Sequence, residues 1–186
     1  MAEATIDRTT ALTGGEAMVA HLTELQARIT NAKSVQVGFI ENAKYPGGAS
    51  IPMVAAIQEF GAPAKGIPPR PFFRQAIAKH KGEWGDNMAT ALVNTNFDAK
   101  MALAQVGYNI QNQVQASIFA LQAPKLSPVT VMLRHMRKGK VDAPVTFDMV
   151  LEARRRVAKG ESPGDASTKP LVWSGQMANR VDYQVS

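Results

Sequence analysis

Cysteine is absent from the 186 residues, which excludes disulfide frameworks, thiolate metal sites and cysteine nucleophiles. Long apolar runs are absent as well. No stretch approaches the roughly 18 consecutive apolar residues of a membrane span, so no membrane partner is expected. The opening residues MAEATIDRTT carry neither the basic start nor the apolar run of a secretory leader, and a reducing cytoplasm is the expected site of synthesis. Histidine is scarce: His21, His80 and His135 stand in no H-x-x-x-H or H-E-x-x-H pattern. No G-x-S-x-G nucleophile elbow occurs, and acidic residues are scattered without a paired-carboxylate or cation-loop pattern. Gly47-Gly48-Ala49-Ser50 lacks the Gly-Lys-Ser/Thr ending of a phosphate loop. With no residue set to carry catalysis, a metal or a cofactor, a non-enzymatic protein is expected.

What is present is an ordinary globular composition, 45% hydrophobic and 19% charged. Met18, Leu22, Leu25 and Ile29 recur at helical spacing and predict a helix over 14–31, with Thr13 and Glu16 as a capping box and a loose arm over 1–13. Val35, Val37 and Phe39 alternate with Ser34, Gln36 and Gly38, a strand with one buried face. Tyr45-Pro46-Gly47-Gly48 marks a turn. Ser50 caps a short helix over 51–60, with Val54, Ile57 and Phe60 facing inward and Gly61 stopping it. Four prolines in 62–71 predict a stiff extended connector.

Phe73, Ile77, His80, Trp84, Met88 and Leu92 form one stripe over 72–93, weakened by Gly82 and Gly85, with a kink expected near Trp84. On such a stripe His80 reads as structural. A second long helix over 97–121 buries Leu103, Val106, Ile110, Val114 and Leu121, and its other face is neutral and polar. Ser127-Pro128 opens a helix to about Met136, residues 146–159 are helical again, and Val181, Tyr183 and Val185 alternate in a closing strand. Strands flanking a helical middle define an α+β fold, a small antiparallel sheet packed against several helices, with a basic helical insertion near the C-terminus.

The net charge of +6 is unevenly placed: residues 125–159 hold nine basic residues against three acidic ones, a net +6 by themselves. Arg134, Arg137, Lys138 and Lys140 form one cluster, and Arg154, Arg155, Arg156 and Lys159 the other. Such a lobe suits an acidic protein surface or nucleic acid, or is a solvated helix face. Zinc fingers, basic zippers and RNP aromatics are missing, and only Phe147 interrupts the basic stretch, too little for a stacking platform. On a helix Arg154, Arg155 and Arg156 point about 100° apart and cannot share one narrow target, which favours protein docking over DNA.

Five blocks remain: Val35 to Gly38 (V-x-V-G), Ala55 to Gly61 (A-x-x-x-E-F-G), Ile67 to Phe72 (I-P-x-R-P-F), Ala123 to Thr130 (A-P-x-L-S-P-x-T) and Lys169 to Gly175 (K-P-L-x-x-S-G). This series resembles the tail-completion, or neck, proteins of long-tailed bacteriophages. The resemblance implies a small α+β domain over 14–133 and 169–186. It also implies a virion protein at the head–tail interface, made in the host cytoplasm, that forms a homo-oligomeric ring of six copies. The ring completes the tail tube and joins it to the head, against tail-tube and connector proteins and close to genomic DNA. The segment 134–168 is longer than the family pattern and stands as a basic insertion. On this reading the subunit-interface or docking candidates are Glu59, Arg70, Phe72, Arg134, Arg137, Arg154, Arg155 and Arg156, with Arg70 in a salt bridge to Glu59 of its own or a neighbouring chain. Lys138, Lys140 and Lys159 are candidates for a DNA-lined lumen. The plainer reading makes Phe72 and Phe73 core anchors and Arg70 a surface residue. The alternative function is a nucleic-acid-binding accessory protein using 125–159.

Overall fold

A computed structural model describes residues 8–40, 42–138, 144–164, 168–172 and 174–186, with the side chains of 8–13 outside the description. The described chain is α+β: seven α-helices and one two-stranded antiparallel sheet. In order these are α1 (Arg8–Ile29), β1 (Val35–Gly38), α2 (Ile51–Phe60), α3 (Phe72–His80), α4 (Trp84–Asn94), α5 (Ala99–Ala120), α6 (Pro128–Met136), α7 (Phe147–Ala158) and β2 (Asp182–Val185).

The start signals act locally. Ser50, Asp98, Ser127 and Thr146 are extended cap residues whose side chains accept from the amides of Met53, Met101, Thr130 and Met149, satisfying donors that the first helical turn leaves open. The stripe over 72–93 splits into α3 and α4, the chain leaving the helix between His80 and Trp84, beside Gly82. His80 is half-buried, its Nδ1 3.5 Å from Glu83 Oε2.

Three expectations are corrected. The helix α1 reaches back to Arg8, so Thr13 lies inside it and does not cap it, and the arm over 1–13 is helical from Arg8 on. The proline-rich segment is no extended connector: Pro63–Lys65 is a 3₁₀ turn, closed by an Ala62–Ile67 bridge. In α2 the buried face is Ile51, Ala55 and Glu59, four residues apart, while Phe60 is 67% exposed.

The helix α5 is the spine. One core gathers α2, α3, the second half of α5 and the C-terminal segment around Ile51, Phe72, Val114, Ile118 and Val181. A smaller one, Ala91, Ala102 and Val106, joins α4 to the first half of α5. The sheet lies across α5 with Val35 opposite Val185 and Val37 opposite Tyr183. Part of the neutral polar face of α5 is used inside the chain. Gln113 Oε1 accepts from Trp84 Nε1 at 2.9 Å, and Gln111 Nε2 donates to the Val181 carbonyl at 2.7 Å.

Sheet and spine approach closely at Gly107, where a Cβ would lie 2.6 Å from Val35 Cγ2 and 2.8 Å from the Tyr183 ring. Gly107→Val should therefore overpack this contact, costing about 2 kcal/mol or more and lowering Tm by roughly 4–8 °C. Gly85→Ala, in α4 with nothing within 4 Å, should be neutral or stabilising by up to about 1 kcal/mol. Equal melting curves for the two variants would contradict the packing described.

Candidate functional site

Two of the resembling blocks, 55–61 and 67–72, meet at the junction of α2 and α3. Glu59, last-turn and buried, accepts from the Phe73 amide at 2.9 Å, the Arg74 amide at 3.2 Å and Arg74 Nε at 2.8 Å. Arg74 also donates to the Glu59 carbonyl at 3.0 Å and lies over the Phe60 ring, 5.2 Å from its centroid. The N-cap of α3 is Pro71, which offers no side-chain acceptor. The carboxylate of Glu59 takes that role from a neighbouring helix and sets negative charge against the positive end of the α3 dipole.

Arg70 is buried beside this junction. Its Nε donates to the Pro124 carbonyl at 3.1 Å and its terminal nitrogens to Gln58 Oε1 at 2.8 Å and the Lys125 carbonyl at 3.5 Å. Its backbone amide donates to the Gln58 carbonyl at 2.6 Å. Arg134 repeats the pattern further on, donating to the carbonyls of Lys169 at 2.6 Å and Pro170 at 3.1 Å. Burial holds both guanidiniums below the ordinary arginine range, and for Arg134 the charge of Arg70 adds to the shift. Arg134 and the buried Arg137 line a cavity of about 320 Å³ with Tyr45, Pro170, Ser174 and Gln176. Burial raises the Tyr45 hydroxyl.

Several expected sites change meaning. Glu59 and Arg70 do not pair with each other: the carboxylate takes Arg74, and Arg70 takes carbonyls of the 124–125 segment. Phe72 is 1% exposed, a core anchor in edge contact with Phe39 and Phe73 rather than a surface contact residue. The structure thus places Glu59, Arg70 and Phe72 inside the chain. On α7, Arg154 and Arg155 are exposed, whereas Arg156 is half-buried and paired with Glu152 one turn earlier at 2.9 Å. Lys138 and Lys159 are exposed, and Lys140 lies outside the described residues. Val150, Leu151 and Val157 are half-buried, and Phe147 is 74% exposed. Among the described residues no group of three His, Asp or Glu side chains is placed to hold a metal ion.

Two surfaces were not legible as sites. One is an open groove of about 230 Å³ lined by Phe39, Pro52, Ala55, Ala56, Phe60 and Phe73, whose charged walls, Glu59 and Arg74, are bonded to each other. Its signal was an aromatic, Phe60, in the last turn of a helix whose buried face ends in a carboxylate. The other is α1, whose apolar stripe faces solvent, with Met18 65% and Leu22 52% exposed. The chain matches no family model, no curated protein and no solved structure.

Because Glu59 serves two backbone amides, its loss should exceed the loss of its ion-pair partner. Glu59→Ala leaves buried donors open and should cost about 2–3 kcal/mol. Arg74→Ala removes a side chain that is 58% exposed and should cost about 1 kcal/mol or less. Chemical denaturation of both variants checks the order, and a larger loss for Arg74→Ala would overturn the capping role.

Proposed function

We propose that this protein is a structural subunit of the neck of a long-tailed bacteriophage. It would assemble with copies of itself into a ring that completes the tail tube and joins it to the head, without catalytic activity. The observation that carries this reading is that three of the five resembling blocks are bonded to one another in space. Gln58 of the 55–61 block holds Arg70, Glu59 holds the two residues just past the 67–72 block, and Arg70 holds 124–125, while Arg134 of the longer segment holds 169–170. These blocks have here a common physical reason, the joining of three segments. The exposed apolar surface of α1, Phe60 and Phe147 also suits a chain that neighbours cover. Six-fold symmetry and the tail-tube and connector partners follow from the resemblance alone.

The second reading, a nucleic-acid-binding accessory protein, is favoured by one feature: Arg154 and Arg155 stand exposed on α7 and Lys159 just past its end. Their spread around the helix suits a protein surface better than a phosphate track.

Electron microscopy of lysates lacking this protein should show filled heads without tails beside free or overlong tails; joined virions would refute the neck reading. Reversing Arg154 and Arg155 to Glu should block joining in the same assay and leave a weak, strongly salt-dependent DNA affinity in the purified protein. Intact joining with altered DNA retention or ejection would instead favour the nucleic-acid role.

A further inference from the structure

The helix α1 is 22 residues long, and from Gly14 to Ile29 every described side chain is exposed except the half-buried Leu25. It is fastened at its C-terminal end. The Asn31 side chain donates to Asp98 Oδ1 at 3.0 Å and accepts from the Lys100 amide at 2.8 Å, and Arg28 donates to the Asn96 carbonyl at 3.4 Å. An isolated helix of this length is only marginally stable in water, and Gly14 and Gly15 each weaken it by about 1 kcal/mol. Its stripe, Met18 and Leu22 beside the half-buried Leu25, therefore asks for a cover that the chain's own body gives only at Leu25.

The body has a matching surface, the apolar groove between α2 and α3. We infer that the stripe of α1 seats in this groove on a second copy of the chain. The inference rests on the proposed self-assembly and names its contact.

Reach excludes the groove of the same chain. The groove floor, Phe72, is tied to Ser117 on α5 by a 2.7 Å hydrogen bond, whereas α1 is tied to Asp98, before the first residue of α5. At 1.5 Å per residue these anchor points lie about 28 Å apart along the spine. The centre of the stripe, Leu22 to Leu25, lies only about 9–14 Å from Asn31 by the same measure.

Charge favours arm on body over arm on arm. Residues 1–31 hold four acidic and two basic residues, a net −2, and the remaining residues hold 11 and 19, a net +8. Bodies repel each other and arms repel each other, while an arm and a body attract. Helix on one copy and groove on the next make a heterologous contact, the kind that closes into a ring when the rotation allows it.

The cysteine-free chain makes the test clean. Full-length protein carrying Leu22→Cys and Ala56→Cys, both at exposed positions, is oxidised mildly and run without reductant. A ladder of dimers, trimers and larger species that thiol collapses is expected, and each single variant should give no ladder. Dimers from Leu22→Cys alone would show arm-on-arm pairing and overturn the inference. A silent double variant, while native mass spectrometry of the unaltered chain still shows larger species, overturns the arm contact and spares the ring. Silence in both assays overturns both. Should the double variant melt abnormally, mixing supplies the second test. Leu22→Glu leaves the groove intact and Phe60→Glu leaves the arm intact, so each alone should be monomeric and their mixture should stop at the dimer. Larger species in that mixture would overturn the inference.

Discussion

A carboxylate buried among backbone amides governs this fold. Glu59 sits on the core-facing side of α2, where an unpaired charge would cost several kcal/mol. It is tolerated because the first turn of α3 supplies two amides and Arg74 supplies a guanidinium. That bond dictates where α3 begins and which way it points. The chain between has to double back sharply, and Gly61 permits it: φ is +78°, and a Cβ there would lie 2.8 Å from Pro69 N. With α3 fixed, Phe72 drops into the core against α5, and α5 carries the sheet.

The arginines divide by partner rather than by sequence cluster. Arg70 and Arg134 are turned inward and donate to main-chain carbonyls of segments without regular structure, 124–125 and 169–170. A guanidinium suits this work because its five donors form a fixed planar fork that can bond two carbonyls at once, where an ammonium would remain more strongly hydrated. Arg154 and Arg155 stay in solvent. Charge counting over 125–159 therefore mixes residues that close the fold with residues that face outward. The part of the basic excess open to a partner is centred on α7.

Local signals were legible in the sequence and long-range ones were not. The caps Ser50 and Ser127, the alternation of Val35, Val37, Tyr183 and Val185, and the break near Trp84 act over a few residues and appear where the spacing puts them. The buried face of α2 was hidden because its third member is charged, and periodicity counts Glu59 as polar. Phe72 and Phe73 are adjacent, and only the position of α5 decides that Phe72 is the more deeply buried. The 3₁₀ turn at Pro63–Lys65 depends on the Ala62–Ile67 bridge, a pairing that proline content does not announce. Periodicity found the stripe of α1, but a stripe reports that a face is apolar and is silent on what covers it.

That last distinction bears on how such a subunit assembles. Seating Met18, Leu22 and Leu25, which are already partly covered, recovers roughly half of the about 1.5–3 kcal/mol each would gain from full burial, about 2–4.5 kcal/mol per contact. Association of two free bodies costs an amount of the order of 4–15 kcal/mol. One arm in one groove thus holds two copies only weakly, so a pair forms at high protein concentration and separates on dilution. In a closed ring every copy uses both its arm and its groove, and the last copy to join makes two contacts for one loss of freedom. A template that gathers copies lowers the remaining cost. On the proposed neck role, such weak, directional, head-to-tail contacts form rings slowly in solution and more readily on a preformed end.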